Sequence, residues 1–343
     1  MRTEDYLDEA RARPLTVEFW YPAVIPKDVA EATVYANVPW LGLEEPVSFA
    51  GRALRNAEPV GSGAPVVVYA HGAPGSRLQS TRLCEHLASH GFVVAAIDFT
   101  GMTYGDKDEM AYVKGLVDRP QDVSFVLDRL ADTDGLAAAA DPNNAAILGY
   151  SFGGYTALAC CGAGLDFEQL AEFAKPKGED NIGYVLGFRK ALEPLRGRQL
   201  GFLGDERLRA AFVMAPWNAP ALDLPRVTVP VFIAAGECDV VAPMARDARL
   251  VFERAGSDSV TMLTFLQGSH NLFTDPCLPE TRRNEAAWQH CSDPIWDKER
   301  AGDILKHSAL AFLRVWLSGE RTAQRYLTAD SVGARPGVRL ERR

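Results

Sequence analysis

No stretch of the 343-residue chain approaches the roughly 18 consecutive apolar residues that a membrane span needs, so no membrane-crossing segment is expected. Lysine and arginine do not gather into a block, and the formal net charge is −9. A polyanion therefore finds no basic footprint, and neither nucleic acid nor an anionic membrane surface is an expected partner. The first ten residues, MRTEDYLDEA, lack the apolar core of a secretory leader. A cytoplasmic location is expected, or a secreted one if a leader has been trimmed. Six cysteines, at 84, 160, 161, 238, 277 and 291, show no CxxC spacing. Zinc and dithiol motifs are thus unsupported, and no metal or organic cofactor is expected. Cys160 and Cys161 read as buried small hydrophobes. Cys277 and Cys291 flank a polar segment and could pair in an oxidising compartment. There is no internal repeat, and only the alanine run 137–140 is of low complexity.

What the chain does have is a 47% hydrophobic share, enough for a sizeable core. Apolar, β-branched runs over 15–21, 65–70, 92–99, 145–150, 210–214, 229–235 and 259–265 read as strands. Between and after them, 76–89, 121–131, 152–162, 244–255 and 297–317 read as helices. This alternation predicts an α/β fold, a mostly parallel central sheet flanked by helices, within one decorated domain spanning 1–343. The segment 164–209 breaks the rhythm, mixing Leu165, Phe167, Leu170, Phe173, Tyr184, Leu186 and Phe188 with many charges. A structureless loop of that length is uncommon inside a domain, so a helical lid insertion above the sheet is expected.

The most informative stretch is 145–154, AAILGYSFGG, in which a buried strand runs directly into a Gly-x-Ser-x-Gly-Gly turn. Such a turn holds a serine at unusual backbone angles while helix and strand approach closely, which requires small residues two positions either side. Gly149 and Gly153 supply them around Ser151. The preceding cluster 141–144, DPNN, reads as a turn.

A serine hydroxyl is a weak nucleophile at neutral pH and needs a histidine base oriented by a carboxylate. Among six histidines, His86, His90, His290 and His307 fall in helical or polar segments, and His71 opens a glycine-containing loop. His270 instead follows the strand 259–265 directly, at the sheet edge where Ser151 also stands, and is the expected base. For the acid, the strand 229–235 runs into Gly236, Glu237, Cys238 and Asp239, and Asp239 is preferred with Glu237 second. The chain order is then Ser, Asp, His. The oxyanion hole is expected from the backbone N–H groups of Phe152, after the serine, and Ala73, in the loop HGAPG at 71–75. Pro74 has no N–H to offer.

With LTVEFWYP at 15–22, VVYAHG at 67–72, LASHGFVV at 87–94 and GYSFGG at 149–154, the chain resembles the α/β-hydrolase superfamily. More narrowly it is similar to bacterial proteins related to dienelactone hydrolase and platelet-activating-factor acetylhydrolase. The resemblance implies a serine esterase in which Ser151 attacks an acyl carbon, with Ala73 and Phe152 as oxyanion donors. Two departures narrow it. Dienelactone hydrolases proper carry cysteine where this chain has Ser151, and phospholipid acetylhydrolases place their acid one strand earlier, where FVMAPW at 212–217 offers no carboxylate. The expectation is a carboxylic ester hydrolase acting on a small-molecule ester through an acyl-enzyme, with homo-oligomer formation left open. Other triad chemistry (serine peptidase, acyltransferase, perhydrolase or lactonase) and a non-catalytic binding homologue are the alternatives.

Overall fold

The computed structural model describes residues 1–30, 32–166 and 203–343. The expected lid core, 167–202, lies outside them. A nine-stranded sheet has the order β1 (Arg2–Asp8), β2 (Arg13–Trp20), β6 (Val93–Asp98), β5 (Ala64–Ala70), β7 (Ala140–Tyr150), β8 (Leu208–Met214), β9 (Val231–Gly236), β10 (Val260–Phe265) and β11 (Val338–Arg342). From β6 to β10 every neighbour is parallel, while β1, β2 and β11 pair antiparallel at the two edges. A separate hairpin joins β3 (Thr33–Val38) to β4 (Val47–Gly51).

The central strands are buried on both faces, which is why they read as continuous apolar runs rather than alternating ones. Val66, Val68, Ile97, Ile147, Val213 and Ile233 face one core with α2 (Glu109–Leu130), α3 (Phe152–Cys160) and α4 (Ala248–Arg254). Val67, Tyr69, Leu148, Phe212, Phe232 and Leu263 face the other, under α1 (Thr81–Ala88) and α6 (Lys298–Trp316). There the Phe212 and Phe232 rings stack with centroids 4.7 Å apart, and Phe312 of α6 meets both edge-on. The order in which strands are laid down reverses at β5, with β6 on one side of it and β7 on the other, and the loops leaving β5 and β7 emerge at the same carboxyl edge. A crevice at such a switch point is where open α/β sheets place ligands.

Several elements differ from expectation, each for a physical reason. The edge strands β1 and β11, RTEDYLD and VRLER, are too polar to be read as strands from pattern alone, and the β3–β4 hairpin, TVYANV and VSFAG, was not expected. A short helix, α5 (Glu285–Cys291), was likewise hidden in a polar segment; Asn284 caps it by accepting from the Ala287 N–H. The DPNN cluster is not a turn outside the sheet but the start of β7, accommodated by register shifts against both β5 and β8.

Helix α2 begins at Glu109, about three turns before the expected start. Pro120 stands inside it, where a proline removes one backbone donor and leaves the carbonyl four residues earlier without its partner. That carbonyl belongs to Leu116, and it accepts from the Tyr155 hydroxyl of α3 at 2.9 Å. The proline is therefore tolerated through a contact that also ties α2 to the helix after Ser151. Among the described residues no helix is long and apolar enough to cross a membrane.

The Tyr155 contact sets a stability prediction. Tyr155→Phe should leave the Leu116 carbonyl buried and unpaired and cost about 1–3 kcal/mol in urea unfolding. Pro120→Ala, which restores the helical donor, should recover most of that loss in the double variant.

Candidate active site

Ser151 sits between β7 and α3 with φ +55° and ψ −116°, a conformation that costs on the order of 1–3 kcal/mol and that surrounding contacts must hold. Its N–H donates to the Met214 carbonyl at the end of β8, and its own carbonyl accepts from Gly154 and Trp217. The flanking glycines are required by close approach: a Cβ on Gly149 would lie 2.0 Å from the Gly153 carbonyl oxygen, and one on Gly153 would lie 1.9 Å from that of Ala70. The start of α3 is thus pressed against the carboxyl end of β5.

The structure brings the three expected side chains together. His270 opens a short 3-10 turn (His270–Phe273) after β10, and its Nε2 is 2.9 Å from the Ser151 hydroxyl. Its Nδ1 is 2.7 Å from Asp239 Oδ2. The other carboxylate oxygen of Asp239 accepts from the N–H groups of Val241 and Ala242 at 2.9 and 2.7 Å, so the acid's orientation is set by its own loop. All three side chains are buried. Glu237, the second choice for the acid, is exposed and accepts instead from the Gln267 N–H. His90, His290 and His307 bond to backbone carbonyls of their own surroundings, and His86 packs against His90.

Five backbone groups of the 71–75 loop are committed. The His71 carbonyl accepts from the Arg119 guanidinium, and the Gly72 N–H donates to Gln79 Oε1 at 3.1 Å. The Gly72 carbonyl is 2.5 Å from His71 Nδ1, the Gly75 N–H donates to Met102, and the Gly75 carbonyl accepts from Tyr104. Burial beside Arg119 holds the His71 pKa well below the usual histidine range, so the ring is neutral. Nε2 accepts from the Phe99 N–H at 3.2 Å, which leaves the proton on Nδ1 to serve the Gly72 carbonyl. Pro74, joined to Ala73 by a cis peptide, has no donor. What is left is the Ala73 N–H, and at the first turn of α3 the Phe152 N–H; among the described residues neither has an acceptor.

The histidine loop is braced by residues that sequence reasoning missed. Tyr150 packs its ring against His270 with centroids 5.2 Å apart and donates toward Asn271 Oδ1. Lys298, at the start of α6, donates to the Asn271 carbonyl and to Thr274 Oγ1. Burial lowers its pKa to about 7, against the pull of Asp275 and Asp293. Asp293 accepts from both the N–H and hydroxyl of Ser269. Beside this loop Cys277 and Cys291 form a disulfide, and Asn271 reaches across to the Gln289 carbonyl of α5. Cys160 and Cys161 are buried free thiols, as expected. For Tyr150 the signal was its place in the elbow motif; for Lys298 and Asp293 no local pattern marked them.

The sheet order, the serine turn and the loops after β5, β9 and β10 define the α/β-hydrolase fold. A model of the Alpha/beta hydrolase family matches residues 67–279, and the chain belongs to that family. The match includes Ala73, Ser151, Phe152, Asp239 and His270. Among solved structures, the ferulic acid esterase from Streptomyces cinnamoneus is similar, with a TM-score of 0.64 and 21% sequence identity over 93% of this chain and 90% of that one. No curated protein matches the chain.

The close approach at the elbow gives a direct test. Gly153→Ala must push α3 away from the Ala70 carbonyl and carry Ser151 and the Phe152 N–H with it. A displacement near 1 Å should lower turnover of any substrate by about 100-fold, while circular dichroism shows the sheet and helices retained.

Proposed function

We propose that the chain is a carboxylic ester hydrolase that works through an acyl-enzyme. The observation that carries this reading is the continuous hydrogen-bonded chain Ser151, His270, Asp239, together with two backbone donors, on Ala73 and Phe152, that have no acceptor among the described residues. Membership of the Alpha/beta hydrolase family supports it, as does a neighbour in fold that is a ferulic acid esterase.

In this reading the Ser151 hydroxyl attacks the acyl carbon while His270 Nε2 takes its proton. The carbonyl oxygen becomes an oxyanion held by the Ala73 and Phe152 N–H groups, each such donor being worth about 3 kcal/mol in a serine hydrolase. Asp239 keeps Nδ1 protonated and stabilises the imidazolium. His270 then gives its proton to the leaving alcohol. A water, deprotonated by the same ring, attacks the acyl-enzyme and releases the acid with Ser151 restored. No step calls on a metal or organic cofactor, and the partner is a small-molecule ester. The chain acts as one α/β-hydrolase unit.

A panel of nitrophenyl esters from acetate to palmitate tests the proposal. Wild type should turn over at least one member, Ser151→Ala should abolish turnover, and Asp239→Asn should lower kcat by about ten-thousandfold. Negligible rates across the whole panel, or substantial turnover by Ser151→Ala, would refute it.

A further inference from the structure

Arg119 of α2 is fully buried, an unusual place for a guanidinium. Among the described residues its Nε and Nη1 have no hydrogen-bond partner, and no carboxylate pairs with it. The acid whose charge it feels most, Asp122, is already held by Arg11 and Arg13. Burial consequently drags the Arg119 pKa down to about 9, still above neutrality. Stability does not account for such a residue. Taking an unpaired charge out of water costs folding free energy that one hydrogen bond does not return.

What Arg119 does touch is the support of both unpaired N–H groups. Its Nη2 donates to the His71 carbonyl, two residues before Ala73. Its Cζ lies 4.9 Å from the centre of the Phe152 ring, beneath the residue whose N–H is the second donor. It also lies 3.8 Å from the centre of the Phe99 ring, and the Phe99 N–H in turn holds His71 Nε2. A planar cation with a donor edge and two stacking faces meets all three demands at once, which neither lysine nor methionine can. Along the chain Arg119 precedes Pro120, in the part of α2 that the Tyr155 hydroxyl fastens to α3. Helix α2, the His71 loop and the first turn of α3 are therefore clamped to one another at this side chain.

We infer that Arg119 is a positioning residue of the oxyanion hole, holding the Ala73 and Phe152 N–H groups convergent on one point. The inference rests on the ester-hydrolase reading given above. It requires that losing Arg119 weaken binding of the tetrahedral state and leave binding of the ground-state ester alone, because the ester's carbonyl gains most from the two donors only as it becomes an anion.

The test uses the full chain, the nitrophenyl ester that wild type turns over fastest, and phenylboronic acid as a mimic of the tetrahedral state. Arg119→Met should lower kcat by about 100-fold, leave KM within twofold, and weaken phenylboronic acid in parallel with kcat. That parallel loss of kcat and boronate affinity at an unchanged KM is a pattern a merely structural role would not give. Arg119→Lys keeps the charge and one donor but loses the stacking faces, and should fall between the two; it also carries the test should Arg119→Met fail to fold. Wild-type kcat in both variants, or a kcat loss with unchanged boronate affinity, would overturn the inference while Ser151→Ala remains inactive. Full activity in Ser151→Ala would instead bring down the underlying reading and the inference with it, and that control separates the two failures.

Discussion

The contact on which the rest of the site depends is the one between the first turn of α3 and the carboxyl end of β5. There the Gly153 backbone lies so close to the Ala70 carbonyl that a single methyl group has no room. This approach sets the Phe152 N–H beside the loop that follows β5, and it forces Ser151 to a positive φ on the lip of β7. Two donors from different segments can share one anion only if those segments are fixed to well under an ångström. Close packing of backbone against backbone, with no side chain between to adjust, provides that rigidity.

Around this contact the protein places side chains that hold loops rather than react. His71 is buried and neutral, and its two ring nitrogens hold the Gly72 carbonyl and the Phe99 N–H. Arg246 plays a similar part on the acid side, binding both the Val241 carbonyl and Asp247, while Asp247 accepts from the Ala219 N–H beyond β8. Lys298 and Asp293 hold the histidine loop from beneath. The loops after β5, β8 and β10 are thus each tied by a charged side chain to an element they do not belong to. Such ties cost desolvation, and they recur where geometry matters more than stability.

The alternation of buried strands and helices was legible because a parallel sheet covered on both faces needs uninterrupted apolar runs, and β5 to β10 all have them. The elbow was legible for a different reason: its glycines answer to a local steric rule that holds wherever the turn occurs. Edge strands escaped because half of each faces solvent, so β1 and β11 carry the composition of loops. The start of α2 escaped because Pro120 mimics a helix boundary, and only a tyrosine 35 positions further on makes it tolerable.

Ser151, Asp239, His270, Ala73 and Phe152 could all be named from the linear chain, since strand ends and the loops after them can be located from pattern, and the chemistry of a serine site demands those residue types. The sequence by itself therefore determined the class of fold and the members of the candidate site. It did not determine what holds them. Arg119, Lys298 and Asp293 reach the site through contacts separated by many residues, and nothing in their neighbours along the chain distinguishes them from surface charges. Nor could it decide that Cys277 and Cys291 pair, which depends on two loops being folded against each other. Those contacts exist only once the sheet has brought its carboxyl ends together, so tertiary structure alone decided them.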